Sequence, residues 1–215
     1  MAQTSAPRRG LVLGGGGILG AAWMVGALKA VEEIHGWDPR TADYIVGTSA
    51  GSVLTALLGA GVSVDQLVAH QHGKPITEGP LAGYSWDYEK ATGSNRPSLP
   101  RLLGPGSGKL IRRTLAGGAR KMPPTAVLSA FLPAGKGSLD RVGHLVEAFT
   151  PYGEWSPHPN CWIVALDYES GRRVAFGHEN APDVPLNEAV MASCAIPGWF
   201  RPMQINGRTY IDGGA

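Results

Sequence analysis

The chain has 215 residues, 43% of them hydrophobic, with 31 glycines, 17 prolines and a formal net charge of +2 from 19 basic and 17 acidic side chains. That length suits one large domain with a sizeable buried core, and the composition excludes a disordered or fibrous chain. The charge balance gives no electrostatic case for nucleic acid, because no basic stripe with interleaved aromatics occurs.

Residues 1–9 read as a flexible N-terminus ahead of a single domain over 10–215. Arg8-Arg9 before apolar residues imitates an export signal, but Gly14 to Gly17 would fall inside its apolar region and Lys29, Glu32 and Glu33 follow soon after. No stretch of the sequence has the length and apolarity of a spanning helix. Cys161 and Cys194 lack any CxxC or His/Cys spacing, so both read as reduced, buried thiols in a cytoplasmic protein without a metal or other cofactor.

Gly10 to Leu13 is a short apolar run that predicts a buried strand. It breaks into Gly14-Gly15-Gly16-Gly17 and then continues with helical spacing from Ile18 to Ile34. Asp43 to Val46 predicts a second strand, parallel to the first, so the two complete a β-α-β unit. This strand runs into Gly47-Thr48-Ser49-Ala50-Gly51, and Ala50 to Leu58 predicts another helix. Ser49 then stands at a strand-to-helix turn, where Gly47 and Gly51 allow the tight backbone of a nucleophile elbow. An ordinary Gly/Ser turn fits the same five residues, and only context separates the two.

Ser63 and Gln66 form the signature of a capping box, opening a helix to about His72. Residues 73–108 are rich in Gly, Pro and Ser with scattered aromatics (Tyr84, Trp86, Tyr88), as in a cover over a site or an insertion. Helices are expected over Lys109–Arg120, Thr125–Phe131 and Leu139–Phe149, the last capped by Ser138. Cys161–Leu166 and Arg172–Phe176 predict strands joined at Ser170-Gly171. Leu186–Ala195 predicts a helix stopped by Pro197, and Asn206-Gly207 joins strands Met203–Ile205 and Thr209–Ile211 in a hairpin. The hairpin delivers Asp212-Gly213-Gly214.

Gly15 to Gly20 also fits G-x-G-x-x-G, but the second strand ends in Gly47-Thr48-Ser49 instead of the acid that a dinucleotide ribose needs. Gly104 to Leu110 lacks the first glycine and final hydroxyl of a phosphate loop. The remaining role for exposed amides at Gly15, Gly16 and Gly17 is to receive an oxyanion; tight helix–sheet packing accounts for Gly20 but not for four glycines in a row. Histidines 35, 70, 72, 144, 158 and 178 stand singly, in contexts suited to solvated or structural roles. A carboxylate whose burial raises its pKa can serve as the base instead, and Asp212 at a strand mouth is the best placed.

The glycine loop, the elbow, the Asp212-Gly213-Gly214 turn and the preceding Ala192 to Pro202 segment occur together in one order, and in this the chain resembles the patatin-like phospholipases. The resemblance covers Gly10 to Gly214 and implies a three-layer α/β/α fold with a mostly parallel central sheet. It implies a lipid acyl hydrolase with Ser49 as nucleophile, Asp212 as base and Gly15, Gly16 and Gly17 as oxyanion donors. The partner is then a lipid or other acyl-ester substrate, with no cofactor. Two departures stand out. Leu19 replaces the family's frequent basic residue, and family domains continue past Asp-Gly-Gly, so a truncated C-terminus is expected. Trp23, Met24, Trp199 and Phe200 are candidates for an acyl channel, with core packing the plainer account for Trp23 and Met24. A near-neutral chain has no attraction for anionic lipid, so a transient, peripheral membrane contact rests on apolar loops that the sequence does not locate. A non-catalytic lipid- or acyl-binding module on the same fold is the alternative. The oligomeric state is left open.

Overall fold

The computed structural model describes residues 8–84, 106–116 and 122–215. Trp86, Tyr88, Gly104 and Pro105 of the Gly104–Leu110 loop, the end of the expected 109–120 helix and residues 1–7 lie outside the described residues.

Strand β1 (Gly10–Leu13) leads through the glycine loop into α1 (Gly17–His35), and β2 (Tyr44–Thr48) leads through Ser49 into α2 (Ala50–Gly59). β1 and β2 pair in parallel, with Leu11 opposite Ile45 and Leu13 opposite Gly47. The expected β-α-β unit is present. Ahead of it, Arg9 and Asp43 exchange two hydrogen bonds, Arg9 N–H to the Asp43 carboxylate at 2.7 Å and Asp43 N–H to the Arg9 carbonyl at 2.8 Å.

The capping box forms as predicted. Gln66 N–H donates to Ser63 Oγ and Ser63 N–H donates to Gln66 Oε1, opening α3 (Val64–Gln71). Further helices are α4 (Gly108–Leu115), α5 (Pro124–Phe131), α6 (Asp140–Glu147) and α7 (Leu186–Ser193). Helix α6 is shorter than the sequence suggests, and Ser138 Oγ accepts the Asp140 N–H at 3.0 Å. The remaining strands are β3 (Cys161–Asp167), β4 (Arg172–Phe176), β5 (Met203–Ile205) and β6 (Arg208–Asp212). Asn206 and Gly207 take φ of 49° and 75°, the left-handed pair that a two-residue hairpin requires.

The sheet is mixed, which corrects the expectation of a mostly parallel one. Only β1–β2 and β2–β3 are parallel, while β3–β4, β3–β6 and β5–β6 are antiparallel. Parallel and antiparallel strands buried on both faces carry the same apolar signature, so composition did not separate them. Residues Ile163 to Asp167 of β3 pair with β4 on one edge. Since a strand has two edges, β2 (to Cys161–Val164) and β6 (to Ala165–Asp167) share the other, end to end. The carboxyl end of β2 therefore meets the carboxyl end of β6 head-on.

Helices pack on both sides. Met24, Val25 and Leu28 of α1, Leu54, Leu57 and Leu58 of α2 and Leu67 of α3 close over Leu13 and Ile45, and Ala189 and Val190 of α7 pack with Ile163 and Ala165. On the opposite side Leu110 of α4 and Ala126 and Ala130 of α5 pack against Leu166 and Ile211. The layers are α/β/α, as the resemblance implies.

Candidate active site

Ser49 is the first residue after β2, with φ 54° and ψ −125°. A non-glycine residue held there costs about 1–3 kcal/mol and persists only where its surroundings fix it. Those surroundings are tight on both sides. A Cβ on Gly47 would run into the Gly51 carbonyl and Thr55 Oγ1, and one on Gly51 would run into the Leu13 and Gly14 carbonyls. The glycines thus let α2 lie directly on the ends of β1 and β2, and Gly51 N–H seals the contact by donating to the Gly14 carbonyl at 3.1 Å.

The end of α7 braces the turn. Ser49 N–H donates to Ser193 Oγ at 2.9 Å, and Ser193 Oγ–H donates to the Val164 carbonyl at 2.6 Å. The Ser49 carbonyl accepts from Ser52 Oγ at 2.6 Å and from Cys194 Sγ at 3.3 Å. Sequence reasoning missed Ser193, since a serine in an apolar helix 144 positions away carries no local signal. Cys194 also departs from a simple core thiol, because it lines the cavity beside Ser49. Burial pushes that thiol up to about 12, with the Ser52 hydrogen bond opposing and the Asp212 charge adding to the rise. It stays protonated and inert.

Asp212 arrives from the other end of the chain. Because β2 and β6 abut along β3, Thr48 lies opposite Val164 and Asp212 opposite Ala165, the next residue. Gly213 fits where the strands meet, since a Cβ there would strike the Val164 carbonyl and stand 3.1 Å from Thr48 Cγ2. Asp212 Oδ1 accepts the Gly214 N–H at 2.7 Å, whereas Oδ2 is buried without a hydrogen-bond partner among the described residues. Burial pushes the Asp212 carboxyl above its ordinary range, and the adjacent Ser49 hydroxyl and the Gly214 N–H offset part of that rise.

The glycine loop forms the third side. A Cβ on Gly15 would stand 3.3 Å from Ser49 Cβ, so the loop backbone passes directly over the serine. Gly16 (φ 157°) and Gly17 (φ 59°) open α1, and the N–H groups of Gly15, Gly16 and Gly17 donate no hydrogen bond among the described residues. The positive end of α1 adds to their pull on an anion. Gly20 serves this loop and not helix–sheet contact: its N–H donates to the Gly16 carbonyl at 2.9 Å, and a Cβ on Gly16 would lie 2.8 Å from Gly20 Cα.

Ser49, Gly16 and Gly17 open into an apolar cavity of about 490 Å³. Its floor is one face of α2, formed by Ala50, Val53, Leu54 and Leu57, with Leu67 of α3 and Val142 and Leu145 of α6 among its walls. Trp199 and Phe200 line it as expected. Trp23 neither lines it nor joins the core but is 74% exposed, and Met24 is buried in the core. Of the histidines, His158 bonds the Ala42 carbonyl and His144 pairs with Glu147, while His70 lines the cavity and its protonation is disfavoured by burial. Among the described residues no group of acidic, Cys and His side chains is arranged to hold a metal.

A family model described as patatin-like phospholipase matches residues 11–75 and 95–215. The chain belongs to the patatin-like phospholipase family. Among solved structures, this patatin-like chain is similar to VipD from Legionella pneumophila, with a TM-score of 0.54 at 17% identity over 98% of this chain and 46% of that one. That likeness shows the fold alone, and the chain spans less than half the length of VipD. No curated protein matches the sequence at a significant level. No helix among the described residues is long and apolar enough to cross a membrane.

Proposed function

We propose that this patatin-like chain hydrolyses lipid acyl esters with Ser49 as nucleophile and Asp212 as its base. The observation that carries the reading is the strained Ser49 elbow next to the buried Asp212 carboxyl, whose Oδ2 has no hydrogen-bond partner among the described residues. The acyl chain lies in the apolar cavity with its ester carbonyl over Ser49. Asp212 Oδ2 takes the hydroxyl proton as Ser49 Oγ bonds to the carbonyl carbon, and the carbonyl electron pair moves onto oxygen. Free N–H groups of the glycine loop receive that oxyanion, where each donor is worth about 3 kcal/mol in a dry site. Ala50 N–H joins them, for it makes no hydrogen bond among the described residues.

The intermediate collapses as Asp212 returns the proton to the departing alcohol, leaving an acyl group on Ser49. Water then repeats the sequence: Asp212 takes its proton, the acyl–oxygen bond breaks, and the proton passes to Ser49 as the carboxylic acid leaves. The raised proton affinity of Asp212 suits both halves, since a carboxylate of ordinary pKa is a weak base near neutrality. A single domain over residues 10–215 carries all of these groups.

The test is hydrolysis of p-nitrophenyl acyl esters by the wild type, Ser49→Ala and Asp212→Asn. Both variants are expected to fall by roughly a thousandfold or more in kcat/KM. Undiminished turnover in either removes the assignment, and an inactive wild type that still binds fatty acid makes the cavity a lipid-binding module.

A further inference from the structure

We propose that the mouth of the cavity is a docking face for an anionic lipid bilayer. The proposal deepens the acyl-hydrolase reading by naming the surface from which the substrate is taken.

Three segments form the mouth. Ile18 and Leu19 open α1, Trp199 stands in the turn ahead of β5, and all three line the cavity while remaining 41%, 84% and 39% exposed. Trp23 lies one turn beyond Leu19 on the same helical face and is 74% exposed. The third segment runs beside Trp199, where Gly137 N–H donates to the Trp199 carbonyl at 3.0 Å and Arg201 N–H to the Gly137 carbonyl at 2.9 Å. It follows Leu132, which is also exposed at 39%.

Large apolar side chains of two of these segments are thus left in water where an acyl chain would enter; Val12, Ile34 and Leu115 are exposed elsewhere, but singly and away from the cavity lining. Water-exposed apolar patches of this kind mark interaction sites, and tryptophan favours the boundary between lipid and water. Charge selects the partner. Residues 14–23, 131–139 and 194–203 contain no carboxylate, and their only ionisable side chains besides the Cys194 thiol are Lys136 and Arg201. Both are exposed, are joined by an Arg201 Nε–H bond to the Lys136 carbonyl at 3.1 Å, and make no ion pair among the described residues. The near-neutral whole-chain balance conceals this local asymmetry.

The experiment uses Ser49→Ala protein, which leaves the lipid intact, sedimented with vesicles of phosphatidylcholine alone or mixed with phosphatidylglycerol. Binding to the mixed vesicles is expected to be roughly tenfold tighter and to weaken with salt. Adding Lys136→Glu and Arg201→Glu should abolish the preference for anionic lipid, and adding Trp23→Ser should weaken binding to both vesicle types. These side chains are exposed, so circular dichroism should show wild-type unfolding. Absence of vesicle binding, or binding that all three substitutions leave unchanged, overturns the proposal. Hydrolysis of soluble p-nitrophenyl butyrate by the wild type is scored separately. Loss of that activity with vesicle binding intact defeats the acyl-hydrolase reading and leaves the docking face standing.

Discussion

Replacing Leu57 with Phe should shorten the acyl chain that the cavity accepts. The floor runs along α2 from Ser49 to Leu57, a rise of about 12 Å at 1.5 Å per residue, which an extended chain of roughly nine or ten carbons spans. Each methylene buried along it contributes about 0.8 kcal/mol, or roughly fourfold in kcat/KM if the contact is kept in the transition state. A series of p-nitrophenyl esters should therefore rise steeply from the butyrate, then flatten near the decanoate. Phenylalanine at position 57 fills the far end and should move the break down by about two carbons. Leu57→Ala should move it up, while losing about 2–5 kcal/mol of stability as a cavity in the packed core. A length profile identical in all three proteins would show that the acyl chain does not follow α2.

Other consequences are independent of chain length. Ser193→Ala leaves the buried Ser49 N–H and the Val164 carbonyl without their shared partner, so it should cost about 1–3 kcal/mol of stability and lower kcat more than it raises KM; unaltered kcat would mean that Ser193 does not position the elbow. Gly51→Ala places a methyl against the Leu13 and Gly14 carbonyls, which are main chain and cannot swing aside, so the purified variant should unfold well below the wild type. Asp212 has its folded-state pKa raised, so the stability tied to its protonated form is complete below the ordinary carboxylate pKa and lost as pH rises through the raised value. Asp212→Asn should accordingly melt above the wild type at pH 8 and lose that advantage in acid; an equal melting temperature at pH 8 would contradict the burial argument. In the wild type, kcat/KM should climb with pH through the same raised pKa.

Much of the site is written in local sequence, because each part is a turn with its own chemistry. The four-glycine break after Leu13, the Gly47–Gly51 elbow and the Asn206-Gly207 hairpin each demand backbone that few other residues permit, and each stands where expected. What is not local was not legible. The abutment of β2 and β6 on one edge of β3 is set by two non-local pairings, Thr48 with Val164 and Ala165 with Asp212, and it explains how Asp212 comes to the end of β2. The brace from Ser193 follows from the same packing. Trp23 misled for a related reason: an aromatic at helical spacing reads as core, yet the face of α1 that carries it turns to solvent.

The central claim is that Ser49 is an activated hydroxyl, and the most direct measurement is reaction with an alkyl fluorophosphonate followed by mass mapping of the adduct. The account predicts one adduct, on Ser49, formed much more slowly in Asp212→Asn. No adduct, or one on another residue that survives Ser49→Ala, would contradict it.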